Sequence, residues 1–277
     1  MRTSILILTL CCGVLQSIAQ PLLIRLGTGA TLVAAHRGGF TDSIPENSMM
    51  NFKNTVAKCR QQVMLEFDLR KSKEGTLYLM HDATVDRTTS GTGELSNLTD
   101  EYINSLYLKD ARGNATGERV PTFREFLLWV KSNSAWLMMD IKADVWAEAL
   151  TMVHEFGITD RCLVLTFKMK DARLARSLNP SILLSCLVSS EEEWSALKAE
   201  RRAIGPVLAY ISSSTTTSLQ RKIAAAGIKV LTDVSENTRH QGKVLSALEY
   251  GEAMNLVGGG ILVTDYPIAL TVISGNR

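Results

Sequence analysis

Two histidines and two carboxylates lie within one short stretch of the chain, each at or near the end of an apolar run. They are His36, Glu66, Asp68 and His81. Glu66 and Asp68 are two residues apart, so on a β-strand both side chains point to the same face. If that face is buried, the two carboxylates are costly unless a cation or a proton neutralises them. The spacing therefore predicts a charged site rather than ordinary surface residues.

A third carboxylate repeats this arrangement later in the chain, where Asp140 is followed two residues on by Lys142. Glu66, Asp68 and Asp140 would offer hard oxygen ligands, which suit Mg²⁺ or Ca²⁺ better than zinc. We predict that they hold one divalent cation, Mg or Ca. A network of ion pairs without a metal is the alternative that these residues leave open.

The two histidines beside the carboxylates are typical of proton-transfer groups. His36 and His81 fit a general acid and a general base, because the unperturbed pKa of histidine lies near neutral pH. Arg37 and Lys142 would then bind a phosphate, for which arginine offers a bidentate fork. The other histidines, His154 and His240, have no such neighbours, and we assign them no role.

These side chains can meet only if several strands end at one place, and the hydrophobic pattern predicts such strands. The strands are expected at 31–36, 63–69, 136–141, 162–167, 182–188, 207–211, 228–231 and 260–263. Helical patterns are expected from 47 or 48 to about 60 and at 122–130, 145–156, 171–177, 191–201, 217–226 and 244–257. Short runs after residue 270 leave room for a closing helix. This alternation predicts a (β/α)8 TIM barrel, in which active residues collect at the carboxyl ends of the strands. An open doubly wound sheet is the alternative.

The segment from Arg70 to Val120 departs from the alternation. Residues 71–75 look like a tight turn, 76–80 like a returning strand and 99–106 like a short helix, within a stretch rich in Thr, Gly and Asn. Connections of this length are often functional. We predict a small insertion between strand 2 and helix 2, at about 70–120, inside a domain that spans 31–277.

Composition and charge exclude other classes of protein. With 277 residues, of which 45% are hydrophobic and 21% charged, the chain can bury a large core. A formal net charge of +2 without a basic run gives no case for nucleic-acid binding. We expect a small-molecule substrate instead, and a homodimer is possible, although no segment has the character of an interface.

The first residues have the layout of a signal peptide. A basic start, an apolar run and small residues near Ala19 predict cleavage after residue 19, while an uncleaved anchor or a lipoprotein is the alternative. We expect a secreted or periplasmic protein with no stable membrane insertion after signal removal. Cys59, Cys162 and Cys186 would remain, and they allow at most one disulfide bridge.

Several motifs in a fixed order carry a resemblance to a known family. The motifs are His36-Arg37-Gly38, Pro45-Glu46-Asn47, Glu66-Phe67-Asp68, His81-Asp82, Arg87-Thr88-Thr89-Ser90-Gly91-Thr92-Gly93, Asp140-Ile141-Lys142 and Thr264-Asp265-Tyr266-Pro267. In this order and spacing the sequence resembles the glycerophosphodiester phosphodiesterase family from about Val33 to Pro267.

The resemblance implies a TIM barrel with an insertion after the second strand and a set of site residues. It implies a divalent metal held by Glu66, Asp68 and Asp140. It further implies His36 and His81 as acid and base, with Arg37 and Lys142 holding the phosphate. The implied activity is metal-dependent hydrolysis of glycerophosphodiesters to glycerol 3-phosphate and an alcohol, either by water or through a cyclic phosphate.

Two positions depart from the family pattern. The third acidic ligand is more often Glu in this family, and Asp140 is one methylene shorter. A tryptophan that often follows the seventh strand is absent, since the chain reads Val230-Leu231-Thr232-Asp233 there. The first change could alter metal preference and the second the pocket wall. A phospholipase acting on lysolipid or intact lipid, and a catalytically inactive binding barrel, are the competing interpretations.

Overall fold

The computed structural model describes residues 21–59 and 62–274. Its strands, in chain order, are β1 (Leu32–Ala35), β2 (Met64–Lys71), β3 (Leu77–Leu79), β4 (Tyr107–Lys109), β5 (Ala115–Arg119), β6 (Trp136–Ile141), β7 (Cys162–Thr166), β8 (Leu183–Leu187), β9 (Val207–Ile211), β10 (Val230–Asp233) and β11 (Ile261–Thr264). The helices are α1 (Pro21–Gly27), α2 (Met49–Lys58), α3 (Asp100–Ser105), α4 (Phe123–Lys131), α5 (Trp146–Glu155), α6 (Met169–Leu178), α7 (Glu191–Ile204), α8 (Thr217–Ala225), α9 (Glu236–Arg239), α10 (Ala247–Val257) and α11 (Pro267–Ser274).

Eight of the strands close into a parallel barrel. Their order is β1, β2, β6, β7, β8, β9, β10, β11, and β1 pairs in parallel with both β2 and β11. Because the sheet closes on itself, the open doubly wound alternative is wrong and the predicted (β/α)8 TIM barrel is confirmed. Apolar side chains of the strands and of the surrounding helices form the largest buried cluster, which includes Phe67, Phe126 and Leu150.

Most boundaries follow the predictions to within a few residues, and the differences have local causes. β10 begins at Val230 rather than at Ile228, because the Ile228 N–H still donates to the Ile223 carbonyl in the turn that ends α8. α10 begins later than predicted because Ser246 and Glu249 form a capping box at its start. The closing helix α11 begins earlier than expected, at Pro267.

An additional helix, α1, lies at the amino-terminal end of the barrel and was not predicted. Its Leu22 and Leu26 are buried in one cluster with strand residues such as Leu32 and Met64. The packed domain therefore extends beyond residue 31 toward the amino terminus. The predicted signal peptide at 1–19 lies outside the described residues. Within 21–59 and 62–274, no helix is both long and apolar enough to cross a membrane.

The segment between β2 and α4 carries its own small core. β3 pairs antiparallel with β2, and β4 and β5 form a separate hairpin. Tyr78, Val85, Leu95 and Ile103 are fully buried in a cluster of this segment. The predicted turn, returning strand and short helix are present, whereas the β4–β5 hairpin was missed. This insertion lies directly after β2 and brings His81 to the carboxyl end of the barrel.

Candidate active site

A cavity of about 240 Å³ opens at the carboxyl ends of the barrel strands. All seven residues predicted from the sequence line it: His36, Arg37, Glu66, Asp68, His81, Asp140 and Lys142. The fold thus brings together side chains that are more than a hundred positions apart in the chain. Their placement is a structural observation, and their individual roles stay predictions.

Three buried carboxylates line one side of this cavity. Glu66, Asp68 and Asp140 are 3%, 1% and 6% exposed, and one oxygen of each lies within 4.8 Å of the others. Asp68 and Asp140 are register partners on the neighbouring strands β2 and β6, so their side chains share one face. The three side chains could hold a metal ion.

Two cationic side chains partly balance the charge of these carboxylates, and one amide donates a hydrogen bond to them. Lys142 Nζ lies 2.6 Å from Asp140 Oδ2 and 3.5 Å from Asp68 Oδ1. Arg37 Nε lies 3.6 Å from Asp68 Oδ2, and Asn47 Nδ2 donates to the same oxygen at 2.9 Å. Three negative charges therefore face two positive side chains.

Burial and the excess negative charge raise the pKa of two of these carboxylates. Burial, and next the charge of Asp68, raise the pKa of Glu66 above its usual range. Burial also raises the pKa of Asp140, although Lys142 counteracts it. A bound divalent cation would relieve both effects, because it replaces lost solvation with direct charge. The chemistry of the donors and their excess charge both fit a hard divalent cation.

The turn after β1 places Arg37 in an unusual backbone conformation. Its φ of 51° is in the left-handed region, which is uncommon for a residue other than glycine. In this conformation the Arg37 N–H donates to Glu66 Oε2 at 2.7 Å. Among the described residues, its Nε is a buried donor without a hydrogen-bond partner. A donor of this kind is suited to an anionic substrate group.

His36 is held by a carboxylate from the opposite end of the sequence. Its Nδ1 lies 2.8 Å from Asp265 Oδ1, and the Asn237 N–H donates to Asp265 Oδ2 at 2.7 Å. Burial is the largest influence on the pKa of His36 and lowers it. The bond to Asp265 and the charges of Glu66 and Asp233 outweigh burial and raise this pKa to about 9.

A fully buried carboxylate fixes the loop that carries Asp265. Glu236 is 0% exposed and accepts hydrogen bonds from the Tyr250 hydroxyl, from Thr264 Oγ1 at 2.8 Å and from the Asp265 N–H at 2.8 Å. These bonds join the start of α9 to the end of β11. The buried charge is satisfied by several donors, as such groups require.

His81 has an equivalent partner in a more exposed network. Its Nδ1 lies 2.7 Å from Asp82 Oδ1, and Arg87 donates from Nε to Asp82 Oδ2 at 2.6 Å. Arg87 also donates to both oxygens of Glu46, which accepts from Arg37 Nη1 at 3.1 Å. The hydrogen bond from Arg87 holds the pKa of Asp82 well below its usual range. Each histidine ring is thus oriented by a carboxylate at Nδ1, which leaves Nε2 for other contacts.

From the sequence alone, the two carboxylates that orient the histidines had no assigned role. Both stand in the motifs that carry the family resemblance, and each had a local signal. Asp82 directly follows His81, and Asp265 directly follows the last barrel strand. Their partners could be identified only once the barrel had brought them together.

The wall where the family often has a tryptophan carries an ion pair here. Arg239 Nη2 lies 2.9 Å from Asp233 Oδ2, at the end of β10, and the Tyr210 hydroxyl donates to the same oxygen at 3.3 Å. Asp233, Arg239 and Tyr210 all line the cavity. This part of the wall therefore carries a polar ion pair beside the Tyr210 ring. Away from this wall, Cys59, Cys162 and Cys186 are free thiols, so no bridge joins them.

A closed (β/α)8 barrel with buried carboxylates and histidines around a cavity at the carboxyl ends of its strands is the architecture of a TIM-barrel enzyme. The sequence profile of the glycerophosphoryl diester phosphodiesterase family matches residues 36–268. The chain belongs to this family and is a phosphodiesterase of that class.

Individual relatives agree with this assignment. A glycerophosphodiester phosphodiesterase of Caldanaerobacter subterraneus is 28% identical over 186 residues, which are 64% of this chain and 75% of that protein. The bovine glycerophosphodiester phosphodiesterase 1 is 35% identical over 125 residues, but these are only 43% of this chain and 37% of the relative.

Solved structures share the fold. A glycerophosphoryl diester phosphodiesterase from Parabacteroides distasonis has a TM-score of 0.77 and 26% identity, with 89% of this chain and 87% of that chain covered. An Oleispira antarctica phosphodiesterase, solved with the product sn-glycerol-3-phosphate, has a TM-score of 0.71, 21% identity and coverage of 90% and 98%. At that lower identity the likeness shows the fold alone.

Proposed function

We propose that this protein hydrolyses glycerophosphodiesters to glycerol 3-phosphate and an alcohol, that the reaction requires a divalent cation, and that His36 and His81 transfer the protons. The observation that carries this proposal is the shared geometry of the two histidines. Both line the cavity of the acidic triad, and both have Nδ1 bound to a carboxylate. In this arrangement a neutral ring keeps its proton on Nδ1 and can accept another at Nε2.

The cation would be held by Glu66, Asp68 and Asp140, and their oxygen ligands favour Mg²⁺ or Ca²⁺. When bound, it supplies positive charge for the non-bridging oxygens of the phosphodiester and lowers the pKa of a bound water. Arg37 contributes its unpartnered Nε to the same phosphate, and Lys142 adds a second positive charge.

The histidines divide the proton transfers between them. One ring takes a proton from the attacking oxygen, which is water or the neighbouring glycerol hydroxyl, and the other gives a proton to the departing alcohol. Asp265 and Asp82 hold both rings in orientation through the step and stabilise each imidazolium as it forms.

A lysolipid is a second candidate substrate because an apolar cavity shares lining residues, through an intermediate cavity, with the one at the acidic triad. A second cavity shares Arg37 and Thr238 with the first, and a third shares Gly39, Phe40 and Thr41 with the second. The third, of about 480 Å³, is lined mainly by apolar groups such as those of Pro267, Ile268, Val272 and Ile273. An acyl chain fits this chemistry.

One assay separates these possibilities. The purified protein is incubated with glycerophosphocholine, glycerophosphoethanolamine or lysophosphatidylcholine, with Mg²⁺, Ca²⁺ or Mn²⁺ or with chelator. Release of glycerol 3-phosphate that stops with chelator and in His36→Ala supports the proposal. No release of glycerol 3-phosphate with any cation refutes it. Faster release of choline from lysophosphatidylcholine, whose other product is lysophosphatidic acid, supports the second candidate. Activity that survives chelator overturns the metal requirement alone.

The compartment and assembly state are further proposals. The predicted signal peptide at 1–19 supports a secreted or periplasmic enzyme, and N-terminal sequencing of the mature protein would test it by the presence or absence of cleavage after Ala19. Light scattering of the same sample tests the homodimer, because it measures whether the molar mass is that of one chain or of two.

A further inference from the structure

The cavity wall opposite the acidic triad is built from β9, β10 and the loop that follows β10. In the closed sheet of eight strands, β10 lies four positions from β6, which carries Asp140, so the two strand ends face each other across the mouth. Asp233 and Arg239 stand on this far wall, next to Tyr210 at the end of β9. A phosphodiester bound at the triad can direct one of its two organic groups toward them.

Asp233 is fully occupied by donors of its own chain. Its Oδ1 accepts from the Ser235 N–H at 2.8 Å and from the Ser235 hydroxyl. Its Oδ2 accepts from the Tyr210 hydroxyl at 3.3 Å and from Arg239 Nη2 and Nε at 2.9 and 3.2 Å. A carboxylate with this many donors has little capacity left for a ligand. Its effect on a ligand is to hold Arg239 in place.

Arg239 has one donor group left over. Nε and Nη2 are bound to Asp233, and Nη2 also lies 3.4 Å from the Tyr210 hydroxyl oxygen. No residue in 21–59 or 62–274 accepts a hydrogen bond from its Nη1. Arg239 lines the cavity and its side chain is 36% exposed, so this donor group is accessible to a ligand oxygen.

The charges of the cavity decide which kind of group suits this donor. Four carboxylates and three cationic side chains line it: Glu66, Asp68, Asp140, Asp233, Arg37, Lys142 and Arg239. With a divalent cation added and the two histidines not counted, these side chains carry an excess of one positive charge, which matches the single negative charge of a phosphodiester. A quaternary ammonium finds no free carboxylate here and faces a guanidinium. The far wall therefore favours a neutral group whose hydroxyl oxygens can accept a hydrogen bond from Arg239.

The surfaces beside Arg239 fit the carbon atoms of such a group. The Phe167 and Tyr210 rings lie with their centroids 5.9 Å apart, and the cavity floor is apolar at Leu165, Leu231 and Val263. An apolar surface with one placed polar group is typical of small-molecule sites.

We infer that Arg239, held by Asp233 and Tyr210, is a specificity-determining residue that binds the hydroxyl oxygens of the glycerol group. The alcohol of the diester then lies toward the second cavity, beyond Arg37 and Thr238. This inference rests on the proposed phosphodiesterase function and adds the orientation of its substrate.

A pair of substrates with a common product tests the inference. Glycerophosphocholine and propylphosphocholine differ only in the two hydroxyl groups of the group that stays on phosphorus, and both release choline. The wild type should prefer the glycerol diester by about 100-fold or more in kcat/KM, because a site built for hydroxyl groups rejects an analogue that lacks them. Arg239→Met should lose most of this preference by reducing only the glycerol rate. Arg173→Met, which removes an exposed ion pair with Glu200, is the control and should keep the full preference.

Because Arg239→Met leaves the Asp233 carboxylate without its cationic partner, the double variant Asp233→Asn/Arg239→Met should be measured beside it and should show the same loss. Equal reduction of both substrates, or no preference in the wild type, overturns the inference. If neither substrate is cleaved, the proposed function fails instead. Calorimetry with glycerol 3-phosphate and propyl phosphate then still decides the inference, since equal affinities for the metal-loaded wild type would contradict it.

Discussion

Replacing Asp265 by Asn should disable His36 while leaving its surroundings in place. The Asn237 N–H donates to one oxygen of Asp265, so the oxygen of an Asn side chain stays with that donor and its NH2 faces His36 Nδ1. The ring must then carry its proton on Nε2, where it can no longer accept one from the reaction. The variant therefore holds the wrong tautomer in an otherwise unchanged site.

The magnitude follows from the loss of one proton-transfer group, which lowers kcat by about 10²- to 10⁴-fold. KM and cation affinity should change little, because Asp265 contacts neither the acidic triad nor Arg37. The charge of Asp265 also contributes to stability. In the metal-free protein the pKa of His36 rises from 6.5 to about 9, equivalent to roughly 3 kcal/mol in favour of the folded, protonated form.

The pH dependence of that stability has a definite sign. Because the folded-state pKa is the higher one, the contribution is complete below pH 6.5 and is lost as the pH rises through about 9. Urea denaturation in chelator should show Asp265→Asn less stable than wild type at pH 6, with a smaller difference at pH 9.5.

The kinetic assay is release of glycerol 3-phosphate across the same pH range, with Asp160→Asn, an exposed change in the turn before β7, as control. An Asp265→Asn variant with wild-type kcat would refute the proposed role of His36. A stability difference that grew with pH would refute the account of its charge.

Further changes test other parts of the site. Saturating Mg²⁺ or Ca²⁺ should stabilise the wild type by about 2.7 kcal/mol at 100 times its Kd, and Asp140→Asn should lose most of this gain in urea denaturation; an undiminished gain would place the cation elsewhere. Glu236→Gln should lower kcat but not the KM of the folded protein, because Glu236 fixes the loop of Asp265, and a variant affected only in Tm would show a structural role alone. Thr122→Ala should cost about 1 kcal/mol of stability through its lost helix cap, with kcat unchanged, and an altered kcat would link the insertion to catalysis.

The barrel could be predicted from the sequence because its strands are short apolar runs separated by amphipathic helices. β6 and β9 were predicted at their observed ends for this reason. The β4–β5 hairpin was missed because its second strand, Ala115–Arg119, has no large apolar residue and no buried position. Helix α1 was missed because a seven-residue apolar segment next to a predicted signal peptide has no pattern of its own.

Some residues of the site could likewise be predicted from the sequence, and others could not. Glu66 and Asp68 were recognisable as a pair because a strand places alternate residues on one face. The partnership of His36 and Asp265 joins residues 229 positions apart, and nothing in their local sequence specifies it. Glu236 gave no signal at all, since a charged residue near a strand end is expected at the surface, yet closure of the barrel buries it completely.

The most direct test of the account compares wild type, His36→Gln and His81→Gln with glycerophosphocholine at saturating Mg²⁺ or Ca²⁺, while calorimetry measures cation binding by the same samples. We expect each variant to lose about 10²- to 10⁴-fold in kcat while binding the cation like the wild type. Wild-type rates in either variant, with its cation still bound, would contradict the claim that these two histidines transfer the protons.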